Sequence, residues 1–106
     1  MSYRFMRMIL FFDLPTETPL QRREYTKFRK HLIKTGFMMM QESVYCKIAL
    51  NQTVVRSVYG GLQKHKPARG LIQVLVVTEK QFSKMDFILG DVQGDIINTD
   101  ERFVEL

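Results

Sequence analysis

A single carboxylate, Asp13, follows a run of large apolar residues and stands immediately before Leu14-Pro15. The run, residues 7–12, has the length and the β-branched and aromatic content of a buried strand. Because Pro15 cannot donate to a sheet ladder and restricts the residue before it, the strand should end near Leu14. Asp13 is therefore predicted at the C-terminal tip of a strand, where α/β proteins often place chemistry. The alternative is an ordinary turn aspartate.

The histidines and the single cysteine of the sequence limit the kinds of catalysis that this chain could perform. The two histidines, His31 and His65, lie at the ends of different predicted helices with no evident nucleophile, which disfavours Ser-His-Asp and Cys-His catalysis. A single cysteine, Cys46, excludes an intrachain disulfide and a thiolate zinc site. A carboxylate can bind Mg²⁺ or Mn²⁺, but one alone binds weakly, because the ion takes several oxygen ligands. Metal-assisted phosphodiester chemistry at Asp13 thus requires a second carboxylate.

A second candidate site is a row of basic residues that recur at spacings of four, three and four on one face of a predicted helix. The row consists of Arg23, Lys27, Lys30 and Lys34, with Arg22 and Arg29 beside it. Like charges at such spacings repel by roughly 0.2–0.5 kcal/mol per pair, and only Glu24 compensates them locally. We predict that this row contacts nucleic acid, with an inert solvated surface as the alternative.

The charge of the 106 residues is distributed unevenly. Residues 1–85 carry fifteen Lys and Arg against five Asp and Glu, a net +10, whereas residues 86–106 carry one against six, a net −5. The basic part favours a polyanionic partner, most simply nucleic acid. The acidic residues 86–106 are predicted to contact a basic protein surface, either in a second copy or in another subunit. The alternative is that they are simply solvated. No apolar run approaches the ~20 residues of a membrane span, and we predict a cytoplasmic protein with no membrane partner.

The elements that position these residues follow from capping signals and periodicity. Thr18 and Gln21 have capping-box spacing and Pro19 occupies the first helical position, which predicts a helix from Thr18 to a left-handed cap at Gly36. The other predicted elements are extended structure over 37–50, a second helix from Asn51 or Thr53 to His65, a strand over 71–78, a short strand over 87–90 and a C-terminal strand over 102–106. Within 37–50, polar residues 41–43 indicate a bulge or bend, after three methionines predicted to fill the core.

The order of elements is interpreted as β-α-β-β-α-β, an α+β ferredoxin-like sandwich over residues 1–90. Residues 91–106 form an acidic C-terminal segment whose extra strand would contact a partner or a second copy. In this fold both helices cover one sheet face. Because the first strand and the strand over 71–78 are apolar on both faces, the bare face should pack sheet to sheet against a second copy. Such a homodimer would let two Asp13 carboxylates share one hydrated Mg²⁺ or Mn²⁺ ion.

Short motifs spread over most of the chain resemble those of a known family. They are Phe11-Phe12-Asp13-Leu14-Pro15, Arg22-Arg23, Phe28-Arg29-Lys30, Gly36-Phe37 and Gln41-Glu42-Ser43-Val44-Tyr45. The combination resembles the CRISPR-associated endoribonuclease family called Cas two, the smaller of the two general CRISPR adaptation subunits, in its type II-A version. The resemblance implies a ferredoxin-like homodimer, a divalent metal shared by the Asp13 carboxylates, and metal-dependent endonuclease activity on RNA or DNA.

The resemblance also implies assembly with the larger adaptation integrase, which inserts spacer DNA into the CRISPR array. The small subunit would be a central bridge whose basic surface holds the DNA duplex of the spacer precursor, and its C-terminal region would contact partners. The methionines at 38–40 depart from the more polar run that is usual in the family. A toxin-like RNA interferase of the same fold is the alternative function.

Overall fold

Seven elements follow one another in residues 5–90, the part of the chain that the computed structural model describes. They are β1 (Met6–Asp13), α1 (Pro19–Lys34), β2 (Met38–Gln41), β3 (Val44–Ala49), α2 (Gln52–His65), β4 (Leu71–Thr78) and α3 (Glu79–Ser83). The strands form one antiparallel sheet in the order β2-β3-β1-β4. This order confirms the predicted ferredoxin-like α+β fold. The acidic segment 91–106 and its predicted strand lie outside the described residues.

Helix α1 begins and ends where its local signals predict. The Thr18 hydroxyl accepts a hydrogen bond from the Gln21 N–H at 3.1 Å, and the Gln21 side chain accepts one from the Thr18 N–H at 3.1 Å. This reciprocal pair satisfies donors that the first turn of a helix leaves free. At the other end Gly36 has a φ of +103°, and its N–H donates to the Ile33 carbonyl at 3.1 Å. The glycine therefore serves as the left-handed cap.

The core lies between the sheet and helices α1 and α2. Its larger cluster consists of Leu10, Phe12, Leu14, Phe28, Leu32, Phe37, Tyr45 and Leu62, and a smaller one of Met8, Ala49 and Val55. The Phe12 ring meets the Phe28 ring edge to face, with centroids 5.8 Å apart, a favourable aromatic geometry. Because side chains alternate along a strand, Met8, Leu10 and Phe12 point toward the helices. The side chains of the residues between them point to the opposite side of the sheet, which we call the open face.

Of the polar residues 41–43, Gln41 ends β2, and Glu42 and Ser43 form a tight hairpin turn between two separate strands. Ser43 adopts a φ of 69° in this turn. The pairing of β2 with β3 shifts register between Met39 and Gln41. The bulge or bend predicted here therefore accompanies a complete reversal of the chain. Met38 and Met39 are 65% and 57% exposed, because β2 is a short edge strand. The prediction that these methionines fill the core is therefore wrong for both.

The chain after β4 also differs from expectation. Thr78 and Gln81 form a second capping box, with hydrogen bonds of 2.9 and 3.0 Å, and start the short helix α3. Residues 85–90 contain no strand, so the predicted strand over 87–90 is wrong. The fourth strand of the fold is instead β4, and the hairpin within 37–50 supplies the second and third. Between residues 5 and 90, no helix is long and apolar enough to cross a bilayer.

Candidate functional site

Asp13 is the last residue of β1, and strand alternation directs its side chain to the open face. Its backbone pairs with Leu71 at the start of β4. The residues on either side, Phe12 and Leu14, are buried in the core, whereas Asp13 itself is exposed. Two buried neighbours thus fix the backbone while the carboxylate remains accessible, and the predicted position at the strand tip is confirmed.

Gly70 is a second determinant of this strand tip, and sequence reasoning missed it. It has a φ of +118°, a region that L-residues with side chains rarely adopt. A Cβ atom added at Gly70 would lie 2.6 Å from Cδ2 of Leu14 and 2.9 Å from the carbonyl oxygen of Asp13. The start of β4 can therefore approach Asp13 only because this position has no side chain. An isolated glycine before a strand signals a turn, but it does not reveal which residue the turn approaches.

The part of the chain that the structure describes supplies few ligands for a metal ion. Among residues 5–90, no group of three or more His, Cys, Asp and Glu side chains is placed to hold one. The Asp13 carboxylate makes no hydrogen bond or ion pair with another described residue, so it is available as an oxygen ligand. One carboxylate falls short of the several oxygen ligands that Mg²⁺ takes. Residues 5–90 of one chain therefore do not fit a resident divalent ion by themselves.

The predicted basic row lies on the face of α1 that points away from the sheet. Phe28 and Leu32 occupy the buried side of the helix. Arg23, Lys27, Lys30 and Lys34 lie on the opposite side, and all four are exposed. Within the described part of the chain none of the four forms an ion pair, and the first turn of α1 carries no acidic residue. The positive field of the row is thus directed into solvent.

The two arginines beside this row are held by hydrogen bonds. Nη1 of Arg22 donates to the carbonyl oxygens of Thr16 at 2.9 Å and Glu17 at 3.1 Å. Nε of Arg29 donates to the hydroxyl of Tyr45 at 2.8 Å. Arg22 was predicted only as a nucleic-acid contact. The structure shows that it also stabilises the loop between Asp13 and α1.

Asp13 and the basic row lie on opposite surfaces of the molecule. The carboxylate is on the open face of the sheet, whereas the row is on the outer side of the helical layer. The structure does not bring the predicted metal ligand and the predicted nucleic-acid contacts into one site. Any function that uses both must use two separate surfaces.

Comparison with known proteins decides the family. Residues 6–85 match the family model described as CRISPR associated protein Cas2. The chain belongs to the Cas2 family. The CRISPR-associated endoribonuclease Cas2 of Treponema denticola is 52% identical over 101 residues, covering 95% of this chain and 100% of the relative. The protein of the same name from Streptococcus mutans serotype c (strain UA159) is 46% identical over 101 residues, covering 95% and 93%. A solved structure described as a crystal structure of cas2 has the same fold, with a TM-score of 0.61 at 15% identity, covering 87% of this chain and 94% of that one.

In this Cas2-family chain, a half-buried ion pair anchors α3 to the open face. Nε and Nη2 of Arg7 donate to the two carboxylate oxygens of Glu79 at 2.6 and 2.9 Å. The Arg7 guanidinium also lies 4.1 Å from the ring centroid of Phe82, and its Nη1 is 3.5 Å from Sγ of Cys46. The hydrogen bond between the two charged groups raises the pKa of Arg7 and lowers the pKa of Glu79.

The remainder of the open face presents apolar side chains to solvent. The most exposed of those carried by β1, β3 and β4 are Phe11, Ile48, Leu71 and Leu75. Leu71 and Leu75 are 53% and 52% exposed. Leu71 is also the ladder partner of Asp13, so the apolar surface reaches the strand tip that carries the carboxylate.

Helices α1 and α2 meet at a pair of stacked histidines. The rings of His31 and His65 are 3.9 Å apart between centroids and inclined by 15°. Burial, followed by the proximity of His65 and Lys34, lowers the pKa of His31. The sequence places these residues on different helices, and only the tertiary structure stacks them.

Proposed function

We propose that this chain is a CRISPR adaptation subunit that binds double-stranded DNA along α1. The observation that carries the proposal is the exposed basic row, which no acidic residue among the described ones neutralises by an ion pair. From Arg23 to Lys34 the row spans roughly 16 Å, given the rise of about 1.5 Å per helical residue. That length corresponds to about five base pairs of duplex. Membership in the Cas2 family favours this function over a toxin-like RNA interferase.

The proposal includes a homodimer that packs sheet to sheet through the open face. Exposed apolar residues on this face support it, because an uncovered apolar sheet surface of this kind favours self-association. The homodimer would assemble with the larger adaptation integrase and hold the duplex of a spacer precursor between integrase subunits. The acidic segment 91–106 is proposed as a contact for a partner, since its charge is opposite to that of the basic part.

We also propose a metal-dependent endonuclease activity on RNA or DNA centred on Asp13. The names of the relatives, CRISPR-associated endoribonuclease Cas2, support a nuclease. The Asp13 carboxylates of two copies would hold Mg²⁺ or Mn²⁺, which when bound polarises a phosphodiester and lowers the pKa of water. Phe12, Leu14 and Gly70 keep the Asp13 backbone in place. One carboxylate per copy supplies few metal ligands for a nuclease. We therefore propose DNA binding as the main biological role of this chain.

A charge-reversal experiment tests the role of the basic row. The double variant Lys27→Glu/Lys30→Glu is compared with the matched variant Lys80→Glu/Lys84→Glu, whose lysines are also exposed but lie in and just after α3. Binding of a blunt DNA duplex is measured by fluorescence anisotropy over a salt series. The α1 variant should bind more weakly and should lower the slope of log Kd against log salt by about 2, since each phosphate contact contributes about 0.9. An equal loss in both variants would show that only net charge matters.

A second experiment tests the role of Asp13. Asp13→Asn preserves size and removes the charge, and the exposed residue Asp86 provides a matched control in Asp86→Asn. Asp13→Asn should abolish Mg²⁺-dependent cleavage without lowering Tm, because the side chain contributes nothing to the core. Cleavage that persists in rigorously purified Asp13→Asn protein would eliminate Asp13 as the metal ligand.

A further inference from the structure

Helix α3 covers one end of the open face and leaves the other end bare. The side chains of β1 that point to this face are those of Arg7, Ile9, Phe11 and Asp13. Ile9 is 8% exposed, whereas Phe11 is 38% exposed and Asp13 is also exposed. Exposure on the open face therefore rises from the Arg7 end of β1 to the Asp13 end.

The cover at the Arg7 end is fixed by contacts of one guanidinium group. Two nitrogens of Arg7 bind the carboxylate of Glu79 at the start of α3, and the ring centroid of Phe82 lies 4.1 Å from Cζ of Arg7. Nη1 of Arg7 is also 3.5 Å from Sγ of Cys46, the ladder partner of Ile9 on β3, and Cys46 is only 3% exposed. Paired hydrogen bonds and a cation–π contact are geometrically specific, so they hold α3 in one position on the sheet.

The bare end is a patch of mostly apolar side chains beside Asp13. It consists of Phe11 on β1 and Leu71, Gln73 and Leu75 on β4, all of which are exposed, and we call it the tip patch. The ladder pairs Phe11 with Gln73 and Asp13 with Leu71, so these side chains are neighbours on one surface. Gln73 lies between the two leucines and is the only amide of the tip patch.

The distribution of charge favours a second copy of the chain as the occupant of the tip patch. The basic row lies on the opposite surface, so two copies that meet through their open faces keep their basic rows apart. Among the described strand residues whose side chains point to the open face, Arg7 is the only cation, and Glu79 neutralises it. A two-fold contact places the same patch of both copies together, so apolar surface meets apolar surface.

We propose that α3 is a stop that sets the position of the second copy on the open face. Because α3 stands on the Arg7 end, the second copy lies against the tip patch, and the two-fold axis passes close to Gln73. The Asp13 carboxylates of both copies are then held on the same side of the dimer contact. Glu79 and Phe82 are therefore positioning residues for the Asp13 site, although neither touches it. This inference rests on the homodimer proposed above and specifies what fixes its register.

Disulfide cross-linking between copies tests this position, because a disulfide forms only where two Cα atoms come within about 7 Å. Every variant carries Cys46→Ala, which removes the one native cysteine. Gln73→Cys, close to the expected axis, should cross-link two copies under mild oxidation. Ile48→Cys is the matched reporter at the other end, since Ile48 is 46% exposed and is the ladder partner of Arg7. It should not cross-link.

The contacts of α3 are then removed in the Gln73→Cys protein. Glu79→Ala/Phe82→Ala should lower the cross-linked fraction severalfold, because the second copy is no longer confined to the tip patch. The matched variant Lys80→Ala/Lys84→Ala, which changes exposed residues in and just after α3, should retain the cross-link. Light scattering verifies that each variant is dimeric, and circular dichroism verifies that it is folded. A lost cross-link in a folded dimer is a change of register, which a loss of stability does not produce.

The outcomes separate this inference from the homodimer proposal. If the Cys46→Ala protein is a monomer, the homodimer falls and the inference falls with it. If the protein is dimeric but Gln73→Cys cross-links equally with and without the α3 contacts, or Ile48→Cys cross-links instead, the stop is overturned and the homodimer stands. Phe82→Leu, a milder variant that removes only the ring over Arg7, should lower the cross-linked fraction in the same direction. Binding of a duplex on α1 should be unchanged in every variant, because α1 lies on the opposite surface.

Discussion

Replacing Gly70 with alanine should be among the most disruptive small substitutions in this fold. The added methyl group would meet the backbone of β1 at its end, 2.9 Å from the Asp13 carbonyl oxygen and 2.6 Å from Leu14 Cδ2. The Leu14 side chain can rotate away, but the carbonyl belongs to the strand tip and moves only with it. The substitution therefore tests both the stability of the sheet and the placement of the candidate metal ligand.

The expected magnitude has two parts. Holding alanine at a φ of +118° costs roughly 1–3 kcal/mol, since this region is sparsely populated by residues other than glycine. Relieving the overlap with the β1 backbone costs about 1–3 kcal/mol more, as for other overpacked sites. The two costs do not simply add, because one shift of the backbone relieves part of both. We therefore expect a loss of about 2–4 kcal/mol in the free energy of unfolding. At about 4–8 °C per kcal/mol, Tm should fall by about 10 °C or more.

Gly60 provides a matched control for the same chemical change. It lies within α2, and a Cβ atom there would meet nothing within 4 Å. Gly60→Ala should therefore raise the free energy of unfolding by about 0.5–1 kcal/mol, since glycine weakens a helix interior. Both variants are unfolded by heat and by urea in the same buffer and followed by circular dichroism. A Gly70→Ala protein as stable as wild type, or equal shifts in both variants, would refute the argument from close packing.

Three further predictions follow from other contacts. A double-mutant cycle of Arg7→Ala and Glu79→Ala should give a coupling free energy of about 1–2 kcal/mol, because the ion pair is bidentate and half-buried. A coupling free energy near zero would contradict this prediction. The pKa of His31 is lowered in the folded state, so folding favours the neutral form of its side chain. The folded protein therefore has its full stability above pH 6.5, the ordinary pKa of histidine, and loses stability as the pH falls below that value. His31→Gln should therefore flatten the dependence of Tm on pH in the weakly acidic range, and an unchanged profile would exclude His31 as its source. Leu75→Glu should convert the proposed dimer to monomer in size-exclusion chromatography, whereas Leu20→Glu, at 57% exposure on α1, should leave it intact.

Local signals in the sequence determined most elements of this fold. The Thr18–Gln21 capping box and the Gly36 cap each involve residues within a few positions of one another, so their hydrogen bonds form wherever the helix lies. The apolar run before Pro15 likewise specified a strand with Asp13 at its tip. The basic row was correctly placed on the outer side of α1 because helical periodicity alone separates it from Phe28 and Leu32. The Thr78–Gln81 capping box was also present in the sequence, and recognising it would have predicted α3.

The tertiary structure decided the features that depend on residues far apart in the chain. Gly70 meets Asp13 across more than fifty positions, and no local pattern encodes that distance. Met38 and Met39 are exposed because β2 lies at the sheet edge, a consequence of strand order rather than of hydrophobicity. The separation of Asp13 from the basic row follows from the layering of helices on one side of the sheet. The sequence by itself thus determined which residues are candidates for binding and catalysis, and long-range packing decided which of them share a surface.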